Sequence, residues 1–180
     1  LIKPNNDKRK TLGVNGSSNF QVETFSLKFD GISIIPVKGN ISPLENFQVP
    51  PSKNSIENEI FKVNLKKSSL RTQEAALIFE CIYQGDKVGI VNPSKLTIKV
   101  DGTDKEYAND IKNPDAKLIF KKGDKVKVKA IFHIPGRIAD MQFANMTIIW
   151  NDTFVESEAK KLSPQEIIFE IDRGMTNGKN

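Results

Sequence analysis

The sequence predicts an all-β protein, an antiparallel two-sheet β-sandwich of about nine strands. Three observations carry this. Apolar and polar residues alternate with a period of two rather than 3.6. The alternating runs are short and fairly evenly spaced, with Gly, Pro, Asn and Asp between them. No strand–helix–strand alternation occurs, which sets a parallel α/β sheet aside. A small barrel fits the same punctuation.

The elements follow in chain order. Residues 1–19 are polar and basic, with few apolar groups, and read as a flexible N-terminal arm. Residues 20–180 form the β domain. Phe25, Leu27 and Phe29 share one strand face, and Asp30-Gly31 then predicts a hairpin turn into Ile32–Ile35, which Pro36 ends. Residues 38–58 carry Gly39, Pro43, Pro50 and Pro51 and read as irregular. This stretch either packs as an extended arm or sets residues 20–58 apart from the rest, and Leu44, Phe47 and Val49 predict an apolar contact. Ile60–Leu65 alternates. Residues 75–83 form the most apolar strand, with Leu77, Phe79, Cys81 and Tyr83 on one side and Glu80 on a wetter one. Lys95–Val100 ends at the turn Asp101-Gly102, and Lys105-Glu-Tyr107 begins the return. Leu118–Phe120 meets the turn Lys122-Gly-Asp124, from which the long strand Lys125–Ile134 runs. Met146–Trp150 and Ile167–Ile171 complete the set. Helical signal is thin, a turn or two at most near 44–47, 138–143 and 156–162.

Size and charge narrow the function classes. The chain has 180 residues, 38% of them hydrophobic, and can bury about two-thirds of its unfolded surface without a disulfide or metal. The formal charge is +5. Lys3, Lys8, Arg9 and Lys10 against Asp7 place +3 of it in the first ten residues, leaving +2 for residues 11–180. Lys121, Lys122, Lys125, Lys127 and Lys129 against Asp124 make a second basic cluster of +4. Its three strand lysines share a face. They read first as a charged edge strand protected against aggregation, and second as a contact patch for an anionic polymer, lipid headgroups or an acidic protein. The intervening Val126, Val128 and Ala130 face inward, so no aromatics interleave with the lysines for base stacking, and a nucleic-acid partner is not expected. No apolar run approaches the ~20 residues of a membrane span.

The search for chemistry returns no catalytic residue and no cofactor or metal site. His133 is the only histidine and lies in phase with Lys125, Lys127 and Lys129, a surface position. Cys81 has no second cysteine to pair with and sits among apolar neighbours, which predicts a buried, inert thiol. One His and one Cys do not make a zinc site. Asp101, Asp104 and Asp110 read as turn-forming carboxylates before they read as calcium ligands. No Gly-rich phosphate cradle occurs. Trp150, closing an apolar strand, is a core position first and a candidate ligand platform second.

The stretch Pro93-Ser-Lys-Leu-Thr-Ile-Lys-Val-Asp-Gly102, followed by Lys105-Glu-Tyr107 and by Lys122-Gly-Asp-Lys-Val-Lys-Val-Lys-Ala-Ile-Phe-His-Ile-Pro135, resembles the small immunoglobulin-like domains of uncharacterised bacterial exported proteins and lipoproteins. The resemblance covers roughly residues 60–155. It implies an immunoglobulin-like β-sandwich, an envelope location and a binding or assembly role, and supplies no catalytic residues. The Cys…Trp…Cys spacing of antibody-type domains is absent, because Cys81 is alone. The chain opens at Leu1 without a signal-peptide pattern, so any signal peptide is expected to have been removed, with a lipid anchor at the removed N-terminus as one form of export.

The expected function is therefore a non-enzymatic, exported cell-envelope module that binds or scaffolds. Its partner would be an envelope protein or an anionic surface or polymer. A carbohydrate- or polyanion-binding sandwich is the first alternative, and a hydrolase built on an unrecognised carboxylate pair is the second.

Overall fold

The computed structural model describes residues 24–170; the basic arm expected over 1–19 lies outside them. Among the described residues there are sixteen strand segments and one short 3-10 turn at Pro93–Lys95, with no α-helix. The strands are β1 (Thr24–Phe29), β2 (Ser33–Ile34), β3 (Asn40–Ile41), β4 (Phe47–Val49), β5 (Ser55–Glu57), β6 (Phe61–Arg71), β7 (Glu74–Tyr83) and β8 (Val88–Val91). They continue as β9 (Thr97–Val100), β10 (Glu106–Ala108), β11 (Leu118–Phe120), β12 (Lys125–His133), β13 (Met146–Ile149), β14 (Phe154–Ser157), β15 (Lys160–Lys161) and β16 (Gln165–Glu170). The protein is all-β, as its period-two patterning requires, and every strand pairing is antiparallel.

Two units arise. Ser33–Leu162 holds the body, and residues 24–32 with 163–170 form the other unit. In the body, three four-stranded sheets run β12-β7-β6-β5, β10-β9-β13-β4 and β11-β8-β14-β3. The inner face of the first sheet packs on the other two. Phe61 of β6 meets Phe120 of β11 and Phe154 of β14, and Phe79 of β7 meets Phe47 of β4 and Trp150 beyond β13. This layering is consistent with a β-sandwich. The alternation in β7 is strict: Ala75, Leu77, Phe79, Cys81 and Tyr83 are buried, and the residues between them are half-buried on the opposite face.

Several local expectations hold. Asp101-Gly102 turns β9 into β10, with Gly102 at φ 80°, and Lys122-Gly-Asp124 leads into β12 with Gly123 at φ 85°. That sign of φ is why glycine stands at both turns. Phe47 and Val49 are buried, and Leu44 packs against the core, so the 38–58 stretch does meet apolar surface. Its irregular reading needs correction, because β3, β4 and β5 lie within it and join β14, β13 and β6.

The hairpin expected at Asp30-Gly31 does not form. Gly31 has the predicted positive φ and its N–H is held by Asp30 Oδ1, but the flanking strands pair elsewhere. In the smaller unit β1 pairs with β16, Thr24 opposite Glu170 and Phe29 opposite Gln165. In the body β2 pairs with β15. A turn signal fixes a local bend, and the pairing partner is chosen by apolar faces brought from a distance.

Candidate functional site

The outer face of the β12-β7-β6 sheet is a grid that the register defines. Lys125 lies opposite Ile82, and Ile82 opposite Lys62; Lys127 lies opposite Glu80, and Glu80 opposite Asn64; Lys129 lies opposite Ile78, and Ile78 opposite Lys67. The three β12 lysines are exposed, while Ile78, Glu80 and Ile82 are half-buried between the flanking strands. The register on β6 shifts between Leu65 and Lys67, which brings Lys66 as well as Lys67 toward the solvent. Down β7 the half-buried Ile78 and Ile82 thus flank Glu80, with Lys125, Lys127 and Lys129 on one side and Lys62, Asn64 and Lys67 on the other.

The acids of this face are already engaged. Glu80 pairs with Lys66 at 3.2 Å, Glu57 with Lys62 at 2.8 Å, and Glu74 with Arg71 at 4.0 Å. His133 extends the β12 row and pairs with Asp110 at 3.3 Å. Lys125, Lys127, Lys129 and Lys67 make no ion pair among the described residues. The five-lysine cluster read from the sequence therefore splits. Lys122 bonds Asp86 at 2.5 Å and holds that carboxyl below its ordinary range, chiefly through this hydrogen bond. The Lys121 backbone N–H is capped by Asp124 Oδ2 at 2.8 Å. Lys122 and the backbone of Lys121 fasten the turn; Lys125, Lys127 and Lys129 project from the strand.

Trp150 is corrected from candidate platform to core. It is 2% exposed, wedged between Phe79 and Phe154, with its indole N–H donating to the Glu45 carbonyl at 3.0 Å. Tyr83 is equally buried, and its hydroxyl donates to Glu156 Oε1 at 2.7 Å. Burial and the Glu156 carboxylate together push the Tyr83 phenol above its usual range. Neither ring can stack on a sugar. Cys81 is buried and its thiol is pushed up to about 12, first by burial and then by the charge of Glu80, so it is no nucleophile.

The acids do not gather either. Asp104 pairs with Lys99 and Asp110 with His133, while Asp101 sits at its turn. No three metal-ligating side chains cluster among the described residues. A cleft of about 320 Å3 lies between the β2–β3 connection and the end of β14, lined in part by Lys38, Lys87, Lys160, Glu156 and Glu158. Sequence reasoning missed it, since its walls come from segments far apart in the chain. Glu156 accepts the Tyr83 hydroxyl and Glu158 pairs with Lys87 at 4.0 Å, so each carboxylate has its own partner. No family model, curated protein or solved structure matches the chain.

Proposed function

We propose that this chain is a non-enzymatic binding module of the cell envelope, an immunoglobulin-like sandwich that presents its β12-β7-β6 face to a polyanionic partner. The observation that carries this reading is the row Lys125, Lys127 and Lys129. All three are exposed and without an ion-pair partner among the described residues, on a face whose acids are taken up by bases of β6 and its bulge. Successive lysines stand about 6.8 Å apart along the strand, close enough for one anionic polymer or surface to meet all three. The exported location rests on the resemblance and on the polar N-terminal segment. Burial of Trp150 and Tyr83 weighs against the sugar-stacking alternative, and the separately partnered Glu156 and Glu158 weigh against the hydrolase.

Retention on immobilised dextran sulfate tests the reading. The wild type should be held at low salt and released as salt rises, because binding through lysines releases condensed counterions. Lys125→Gln, Lys127→Gln and Lys129→Gln together should lower the slope of log affinity against log salt by roughly 2–3. Lys38→Gln with Lys160→Gln, in the cleft, should change it little. Equal retention of wild type and triple variant, or no retention at all, would sink the proposal.

A further inference from the structure

We infer that the polyanion is an anionic lipid bilayer, and that the loop joining β12 to β13 is the part that enters it; this rests on the lysine-face reading above. The loop is built to show two apolar side chains to solvent. Phe143 is 82% exposed and Ile138 44%. The backbone around them is not loose. The Ile138 N–H donates to the Pro135 carbonyl at 2.8 Å, and the N–H groups of Phe143 and Ala144 both donate to the Asp140 carbonyl, at 3.1 and 3.0 Å. Asp140 Oδ1 accepts the Gln142 N–H at 3.0 Å, which turns that carboxylate into its own bend. Between the two turns Met141 is fully buried, and its N–H donates to the Thr72 carbonyl at 3.1 Å. Ala139 and Ala144 pack against the core. The loop thus directs three of its apolar residues inward and holds Phe143 and Ile138 outward.

Single exposed apolar residues are ordinary on protein surfaces. This pair differs in its place. β12 runs directly into the loop, so the lysine row leads up to it. Arg137 is exposed within the loop itself; Arg71, which ends β6 next to the Thr72 that anchors Met141, is already paired with Glu74 and adds no free cation there. Lys129, Lys127 and Lys125 lie about 14, 20 and 27 Å along the strand from His133 at the loop end. Attraction to the leaflet falls off within about 8 Å, so in this arrangement β12 lies tilted along the bilayer and the lysine row and the loop meet it together. Cations near an anionic leaflet attract the protein without touching it, and an aromatic side chain at the headgroup level then fixes it there. A soluble polyanion complements the lysines and has no use for Phe143. An apolar protein pocket complements Phe143 and leaves the lysines unanswered. A bilayer carrying anionic headgroups complements both.

Co-sedimentation with vesicles of phosphatidylcholine alone, and of phosphatidylcholine mixed with phosphatidylglycerol, tests this against dextran sulfate retention. The wild type should bind the anionic vesicles and not the neutral ones. The Lys125, Lys127 and Lys129 to Gln variant should lose more than about tenfold in vesicle affinity. Phe143→Ser with Ile138→Ser should lose about fivefold or more on vesicles and keep full retention on dextran sulfate. Unchanged thermal unfolding of this double variant shows that the loop change has not disturbed the core. Wild-type binding to anionic vesicles that is indifferent to Phe143→Ser with Ile138→Ser overturns the bilayer assignment and leaves the polyanion reading standing. Equal binding to neutral vesicles, or vesicle binding absent while dextran sulfate still retains the protein, does the same. Loss of a crosslinked envelope protein in the double variant, with vesicle binding untouched, would assign the loop to a protein instead. Failure on both supports overturns the lysine-face reading itself.

Discussion

Cys81 shows how burial sets chemistry at the scale of one residue. Its thiol is raised from an ordinary 9.0 to about 12 because the thiolate would have to exist inside an apolar sheet interface. The raised value has a definite sign for stability. Below pH 9 the folded and unfolded chains both keep the proton, and this contribution is fully present. As pH rises from 9 toward 12 the unfolded chain ionises while the folded one does not, and stability falls by up to about 1.4 kcal/mol per pH unit. Cys81→Ala lacks that titration, so the stability gap between wild type and variant should narrow as urea unfolding is repeated from pH 8 to pH 11. A gap independent of pH would refute the burial argument, and native-state labelling by a thiol reagent would contradict it as well. Gly89 makes a steric case. A Cβ there would stand 2.5 Å from Tyr83 Cδ2, and the Tyr83 ring is held by its bond to Glu156. Gly89→Ala should cost about 1–3 kcal/mol in urea unfolding, an overpacking penalty. The burial of Cys81 and the exposure of His133 were legible in the alternation alone. The fate of Trp150 was only half legible, because the end of a strand can face core or solvent with the same local pattern. The 2.5 Å approach at Gly89 was not legible at all, since β8 is buried at Gly89, Ile90 and Val91 in succession and shows no alternation.

At the scale of elements, β12 is an edge strand with two kinds of protection. Toward His133 its outer edge is covered by Asn109, whose side chain takes the place of a neighbouring strand. Oδ1 accepts the Ile131 N–H at 2.8 Å, and Nδ2 donates to the carbonyls of Lys129 and Pro93 at 3.2 and 3.0 Å. The Asp110 N–H completes the cover on the Ile131 carbonyl. Toward Lys125 the lysines themselves guard the edge. Asn109→Ala removes three hydrogen bonds from a buried position and leaves their partners unsatisfied, so it should destabilise the protein by about 2–4 kcal/mol. It should also open the edge to association, visible as larger species in size-exclusion chromatography. A variant as stable and monodisperse as the wild type would show that the cover is dispensable. The sequence displayed the lysine row, because period two is a property of the strand itself. It did not display which acids neutralise which bases, because that depends on register across β7 and β6 and on the shift after Leu65. The failed hairpin at Asp30-Gly31 has the same cause: a two-residue signal names a bend, whereas the partner strand lies more than a hundred residues away.

For the whole molecule, the division at Ser33 and Leu162 predicts that the body folds alone. Among the described residues, every member of the buried hydrophobic core falls between Phe47 and Val155, inside that division. The smaller unit is of a different kind. Phe25 stacks on Phe169 at 4.9 Å across the β1–β16 pair, yet Phe25, Ile167 and Phe169 keep 47%, 47% and 39% of their surface exposed. A two-stranded ribbon with its apolar side chains this open is at most marginally stable by itself. Its first strand was legible as a strand, since Phe25, Leu27 and Phe29 alternate, but its pairing with β16 was not, because alternation reports a face and not a partner. A chain reduced to residues 33–162 should therefore keep the far-UV circular dichroism of a β protein and unfold cooperatively. Its midpoint should lie within about 5 °C of the full chain, a shift of no more than one or two kcal/mol for a body of this size. It should also retain the salt-dependent hold on dextran sulfate, since Lys125, Lys127 and Lys129 stand on β12 within the body. A broad, non-cooperative transition in the shortened chain would mean that the β1–β16 pair contributes to the core's stability after all, and the division at Ser33 would lose its physical meaning.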